Sequence, residues 1–580
     1  MGYARRLHMI AALALLGAAA PAASAEYFVY QGQLQFTSSS LPTCTPLSTG
    51  AFHVVIVGRN GGPFGGGIEA YLLGEQLLHG YIRGMNPAFT SIAYIGESAP
   101  SHPMGLRMTG MNSYAGQLQA KSLLGAMFLC PFDSAQISIS KVAGVNEEAA
   151  FESAANQFRL DNRALQTYLQ GMQGNARSAI APIEQALALK RQALEPSNPQ
   201  LLPYYYSLAQ LHYAEGSIPA SIPVLRSGAA ICEKVYGPQS ACAGALLATL
   251  GAALADGGIY AEAESTLRSA LAICDKYFGP GSPMRGPALN GLSVVLMYTG
   301  RYSEAERALT EALAVNKKWP NPSNINVAAS LTGFGILYQL TGQYKKAVGS
   351  LRQAVAMNEK AVGADNPATI NSEVVLARAL RVSGDNQAAE TTGRHALSAA
   401  ERVLGRERQD HPALVGAQVV LADILRETGR NAEAEPLYRK ALANATKYLG
   451  PDHPQVAGVS LLLAKLLHET GRDQEALALL SHANVVAHLS GSQIIAWQVA
   501  GELMEVYSSG KYADPFKAIF YGKEAVNDLQ RLRGNLSGSS AETQQAFVSS
   551  AEVSAIYRKL ADLLIGDGRP AEAQQVLAMV

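Results

Sequence analysis

What the chain lacks narrows its function before any motif is read. Neither sign of charge prevails: Lys+Arg and Asp+Glu both number 46, for a net charge of zero. There is therefore no global basic field of the kind that marks nucleic-acid or anionic-membrane binding. Cysteine is scarce, five in 580 residues with no pair at CxxC spacing, which argues against a cysteine-held metal. His482 and His488 stand six apart, a spacing that does not put two ligands on one helical face. No GxSxG, HExxH or Cys/His signature occurs. The Gly-rich stretch Gly58–Gly67 lacks both the Gly-Lys-Ser/Thr ending of a P-loop and GxGxxG spacing, so it reads as an inter-strand loop. Beyond residue 25 no segment has the length and apolarity of a membrane span. The expectation is a non-enzymatic protein without a cofactor.

What is present begins with an export signal. Arg5 and Arg6, an apolar stretch from Met9 to Ala20 and the small-residue run Ala23, Ser24, Ala25 have the order of a secretory leader and its cleavage site. The apolar part is shorter than the ~20 residues that span a bilayer. Residues 1–25 are thus predicted to be removed, leaving a periplasmic or secreted protein. Residues 26–145 carry short runs rich in alternating or β-branched residues, such as Ala51–Val57 and Ala135–Val142, separated by Gly, Pro and Ser clusters. They predict a small β-rich domain. Cys44 and Cys130 bracket it and could form a bridge in an oxidising compartment. Cys232 and Cys242 flank an inter-helix turn and could also pair. Cys232 and Cys274, however, stand 42 apart at one repeat position, which favours small buried apolar residues there instead.

The rest of the chain is periodic. Gly174, Gly216, Gly258, Gly300, Gly342 and Gly384 recur every 42 residues, followed by Gly429 and Gly471. A period of this length means that one helical unit is stacked. Around each glycine the neighbours repeat too. Ala263, Ala305, Ala347, Ala389, Ala434 and Ala476 follow by five, and Ala270, Ala312, Ala354, Ala396, Ala441 and Ala483 by twelve. Seven apart on a helix is one face, so the second helix of each unit can approach its neighbours closely, while Leu271, Leu313, Val355, Leu397 and Leu442 one step on fill the adjoining core. Leu250, Leu292, Phe334, Leu376, Leu421 and Leu463, eight before the glycine, give the first helix its large apolar group. The glycine ends that helix in a left-handed turn, and Gly-Pro-Asp-His-Pro454 and its counterparts restart the chain between units. His411-Pro412 and His453-Pro454 recur as turn formers.

This pattern, clearest in Ala288–Ala314, resembles the tetratricopeptide repeat in its 42-residue, kinesin-light-chain-like form. The resemblance spans 150–485 and implies a mostly α fold. It is a right-handed superhelix of helix pairs, an α-solenoid, whose first helices line a concave peptide-binding groove. Residues 486–580 are read as degenerate helical repeats. Phe516–Val526, Thr543–Phe547 and Tyr557–Leu577 resemble the repeats preceding a CHAT peptidase domain, and no such domain follows in this sequence.

On the repeat frame the candidate groove residues are Tyr206, Tyr213, Asn290, Val294, Met297, Ile336, Arg378, Arg381, Arg426 and Lys465. The groove is predicted to be apolar in its middle and mostly basic toward its C-terminal end, suited to an acidic or carboxylate-bearing protein or peptide segment. Glu262 and Glu264 are assigned to the repeat's polar face. The functional expectation is an exported scaffold. The alternatives are a recruiting arm of a CHAT-type peptidase and glycan binding by the β domain.

Overall fold

The computed structural model describes residues 176–579 apart from 319–324 and 405–412, together with parts of 156–172 and backbone strand segments between residues 26 and 141. The leader, Cys44, Cys130, His411, Pro412 and the side chains of the β-domain reading lie outside the described residues. The chain divides into two units, Met1–Ser207 and Leu208–Val580. In the first, helix α1 (Ala176–Ala193) buries Lys190, whose ammonium pairs with buried Asp161 at 2.8 Å while the Tyr204 hydroxyl donates to the same carboxylate.

From α2 (Leu202–Ala214) onward the structure is a stack of antiparallel helix pairs. The first helices are α4 (Ala241–Asp256), α6 (Gly286–Tyr298), α8 (Ile325–Leu340), α10 (Pro367–Val382), α12 (Ala413–Glu427), α14 (Pro454–Glu469) and α16 (Gln493–Ser508). Their partners are α3 (Ile218–Tyr236, paired with α2), α5 (Tyr260–Phe278), α7 (Tyr302–Asn316), α9 (Tyr344–Val362), α11 (Asn386–Leu404), α13 (Asn431–Leu449), α15 (Asp473–Ser490) and α17 (Pro515–Asn535). Short α18 (Ala541–Val548) and the pair α19 (Ala551–Gly566) and α20 (Pro570–Leu577) follow. Two of the first helices, α10 and α14, start on proline with a capping side chain before it. Asn366 accepts from the Ala368 N–H at 2.9 Å and His453 from the Gln455 N–H at 3.0 Å, satisfying donors that a helix start leaves bare.

The alanine face is fully buried, at 0% exposure for Ala263, Ala305, Ala347, Ala389, Ala434 and Ala476. Leu271 is buried and Val355, Leu397 and Leu442 pack against the core as expected, yet the deepest large residue of the face is another. Leu313, Val355, Leu397 and Leu442 are only half-buried, whereas Leu267, Leu309, Leu351, Tyr438 and Leu480, nine after each glycine, are at most 1% exposed. These knobs need notches. A Cβ on Gly251 would lie 2.5 Å from Leu267 Cγ and one on Gly335 2.3 Å from Leu351 Cγ. A small residue seven before the rung glycine and a large one nine after it are thus one packing unit.

Cys232 and Cys242 are bridged, with Cα atoms 5.6 Å apart, joining α3 to α4. This corrects the reading of Cys232 as a plain apolar filler. The turn between the two helices brings the side chains together, which repeat position alone does not reveal. Cys274 is left a free thiol, pushed up to about 11 by burial. Peptide mapping without reduction should recover residues 232 and 242 in one linked fragment; a 232–274 link would contradict this pairing.

The stack coils until it meets itself. His453 Nε2 donates to the Asp256 carbonyl at 2.8 Å across 197 residues. One repeat on, Ser303 Oγ donates to the Asn535 carbonyl at 3.1 Å. One further, Gln343 Nε2 donates to Thr543 Oγ1 and Lys346 Nζ to Glu542 Oε2, both at 3.1 Å. The rung glycines sit at this seam. All those described from Gly216 to Gly471 have φ between +73° and +88°. Only at Gly258, Gly300 and Gly342 would an added Cβ also strike the next turn, at 2.5 Å from Pro454 Cδ, 2.2 Å from Leu532 Cδ2 and 2.5 Å from the Ala546 carbonyl. Gly384, Gly429 and Gly471 face open space.

The His453 contact has a pH dependence of defined sign. Its Nδ1 accepts and its Nε2 donates, so the seam holds the neutral ring, and burial lowers its pKa from 6.5. A group whose folded pKa is depressed in this way contributes in full above pH 6.5 and loses that contribution as pH falls below it. Protection from hydrogen exchange at Asp256–Ile259, taken relative to the intrinsic rate at each pH, should fall below pH 6.5 in the wild type. In His453→Asn, which keeps a capping side chain but cannot span the seam, exchange should be fast at every pH.

Candidate interaction surface

The C-terminal ends of the first helices line the inside of the coil and touch one another at one-repeat spacing. Tyr213 donates its hydroxyl to Asp256, Arg381 pairs with Glu427, and Arg426 pairs with Glu469 at 2.5 Å. Tyr298 stacks on Tyr260, centroids 5.2 Å apart. Burial pushes the Asp256 carboxyl above the usual carboxylate range against the opposing Tyr213 hydrogen bond. It also raises the Tyr298 phenol, which Arg378 pulls back and Asp256 pushes further.

At its centre is a buried polar network. The Tyr438 hydroxyl reaches out of the core to donate to Asp423 Oδ1 at 2.7 Å, and the same carboxylate lies 3.4 Å from Arg381 and 3.7 Å from Arg426. Burial alone would raise the Asp423 pKa, but the two guanidinium groups outweigh it and hold the group below its usual value. Charges this deep survive only when paired and hydrogen-bonded.

These pairings correct the expected basic groove. Arg381 and Arg426 are committed to Asp423, Glu427 and Glu469. Adding Asp256 and Glu502, the acids of the lumen outnumber Arg378, Arg381, Arg426 and Lys465. Among the described residues Arg378 and Lys465 alone of the four have no carboxylate at ion-pair distance. Arg378 is exposed, and the protein around it lowers its pKa.

The apolar middle is corrected as well. Met297 is only 2% exposed and packs in the core, and the exposed residue is Tyr298 beside it. Asn290 is held structurally, accepting from Ser330 Oγ at 2.9 Å. Val294 and Ile336 are half-buried, Ile336 against the cluster around Leu351 and Val374. Tyr213 is exposed at the lumen, while Tyr206 is half-buried in the first unit. The lumen residues that the sequence reading passed over share one position: Asp256, Tyr298, Glu427 and Glu469 each stand two before a rung glycine. That position was legible in register, and only the choice of groove offsets hid it.

On the outer corner the expected polar face is a ladder of ion pairs. Arg301, Arg430 and Arg472, each one after a rung glycine, bridge a Glu three residues on and a Glu of the preceding unit, such as Glu264 for Arg301 at 2.7 Å. Exposed pairs of this kind contribute little each. Among the described residues no cluster of three or more His, Cys, Asp or Glu is placed to hold a metal, and no helix is long and apolar enough to cross a membrane.

A family model for the tetratricopeptide repeat matches residues 242–318, 285–360, 326–402 and 415–483. Residues 242–402 and 415–483 are tetratricopeptide repeats. No curated protein matches the chain. Solved structures that it resembles include the nearly identical TPR-like repeats of a candidate kinesin light chain from Podosopora anserina. That likeness has 25% identity, covers 36% of this chain and 97% of that one, and has a TM-score of 0.28. Another is BtubC (BKLC) from P. vanneervenii, at 21% identity over 42% and 88% with a TM-score of 0.30. A third is a Rap protein complexed with competence and sporulation factor, at 13% identity over 69% and 98% with a TM-score of 0.39. A tetratricopeptide solenoid of this kind is a protein-interaction scaffold, and no catalytic domain is shown among the described residues.

Proposed function

We propose that this protein is an exported scaffold whose lumen captures an extended segment of a protein or peptide partner, with Arg378 as the cation that meets an acidic group of that segment. The observation that carries the reading is the unpaired state of Arg378 in a lumen where neighbouring arginines are paired. An exposed guanidinium with no carboxylate at ion-pair distance is free to take one from an incoming segment in a charge-assisted, bidentate pair. Export is supported by the order of Arg5, Arg6, the apolar stretch and the small-residue site. The β-domain reading of 26–145 is supported by eight backbone strands, each antiparallel to the next from Glu26–Ser39 to Phe132–Lys141, with first and last also paired. A role as the arm of a CHAT-type peptidase is supported by the C-terminal resemblance alone.

The test compares two neighbouring arginines, Arg378 without a carboxylate partner and Arg381 with two. Arg378→Gln should weaken binding of a captured partner by about tenfold or more, with helicity and stability unchanged or slightly improved. Arg381→Gln should destabilise the protein because it strips a partner from buried Asp423. Equal partner affinity for Arg378→Gln and wild type, measured on purified components, would remove the reading.

A further inference from the structure

The seam between successive turns bears on how a partner enters. Its contacts fall on three consecutive rungs without a gap: Asp256 and Gly258 against His453 and Pro454, Gly300 and Ser303 against Leu532 and Asn535, Gly342 to Lys346 against Glu542 to Ala546. The seam is tight as well as continuous. It has no room for a methyl group at any of the three glycines, and Tyr302 and Phe547 meet across it near Gly342 with ring centroids 6.2 Å apart. A polypeptide strand needs a gap of about 5 Å beside its neighbour, so no chain passes sideways between these turns while the seam is closed.

We propose that the lumen is loaded along its axis and therefore takes only a linear segment with a free end, excluding loops of folded proteins. This rests on the lumen reading above and adds the topology of the partner. Charge sets its chemistry. Arg378 calls for a carboxylate, whereas the pairing of Arg381 and Arg426 with Asp423, Glu427 and Glu469 leaves no continuous basic track of the kind a single-stranded nucleic acid needs.

The experiment locks the seam. In the full chain carrying Cys274→Ser, the variants Lys346→Cys and Glu542→Cys, which replace a 3.1 Å ion pair, are bridged by a short bismaleimide. Fluorescein-labelled pools of short Asp- and Glu-containing peptides are offered as linear chains and as head-to-tail cyclised rings. The expected result is that linear peptides bind the locked and unlocked proteins with equal affinity, that Arg378→Gln loses them, and that rings bind neither form. Rings binding as well as linear chains would overturn the proposal, as would linear peptides binding the unlocked form and failing on the locked one. Linear peptides that ignore both the lock and Arg378→Gln would overturn the lumen reading beneath it.

Discussion

Gly342→Asn is expected to open the coil, while Gly429→Asn is expected to be tolerated. Both glycines hold the same left-handed turn, at φ +75° and +77°, and asparagine is the residue other than glycine that visits this region at least cost. The conformational penalty is therefore the same at the two sites and nearly cancels in the comparison. What differs is the neighbour. The new Cβ at 342 would lie 2.5 Å from the Ala546 carbonyl, a backbone atom that cannot rotate away, whereas at 429 nothing lies within 4 Å. Overpacking of this kind costs about 1–3 kcal/mol, enough to break a seam made of a few hydrogen bonds worth about 1 kcal/mol each. Hydrogen exchange in Ala541–Val548 should rise sharply in Gly342→Asn and stay at the wild-type rate in Gly429→Asn. Equal behaviour would mean that the turns do not touch.

Asp423→Ala should be the most damaging single substitution in the lumen. It removes the carboxylate that Tyr438, Arg381 and Arg426 share and leaves a buried hydroxyl and two guanidinium groups with reduced compensation. Breaking one side of a buried charge network costs about 3–5 kcal/mol, with some relief here because Glu427 and Glu469 remain. Since the Asp423 pKa is held below 3.8 in the folded state, its contribution is complete above that value and is lost as pH falls through the lowered one. Urea midpoints compared at neutral pH and below about pH 4 should therefore show the gap between wild type and Asp423→Ala narrowing with acid. A constant gap would assign Asp423 a packing role only.

The contrast between those two sites shows what the sequence could convey. Packing was legible because close contact recurs: each buried alanine of the face must be small in every unit, so chemistry and spacing repeat together. The knob nine after the glycine escaped because its identity alternates among Leu267, Gly393 and Tyr438, and the large residue at one position is matched by a small one on a neighbouring helix. The seam was invisible for a different reason. Gly342 and Gly429 look alike in sequence, and only the superhelical return places Ala546 over one and solvent over the other. In the groove Arg381 and Arg426 find carboxylate partners one repeat away, at an offset the repeat frame does not single out, so the net field is not legible from the cations alone. Arg378 stood out only after Arg381 and Arg426 were seen to be neutralised.

The account's central claim is that residues near 300–346 and 532–547 form one closed wall around the lumen. Spin labels placed at Lys346 and Glu542 in the full chain, read by double electron–electron resonance at neutral pH, test it directly. The closed coil gives a single narrow distribution at the short end of the measurable range, unchanged by linear peptide. A broad distribution, or a distance far beyond the span of two side chains, would show an open groove and contradict the account.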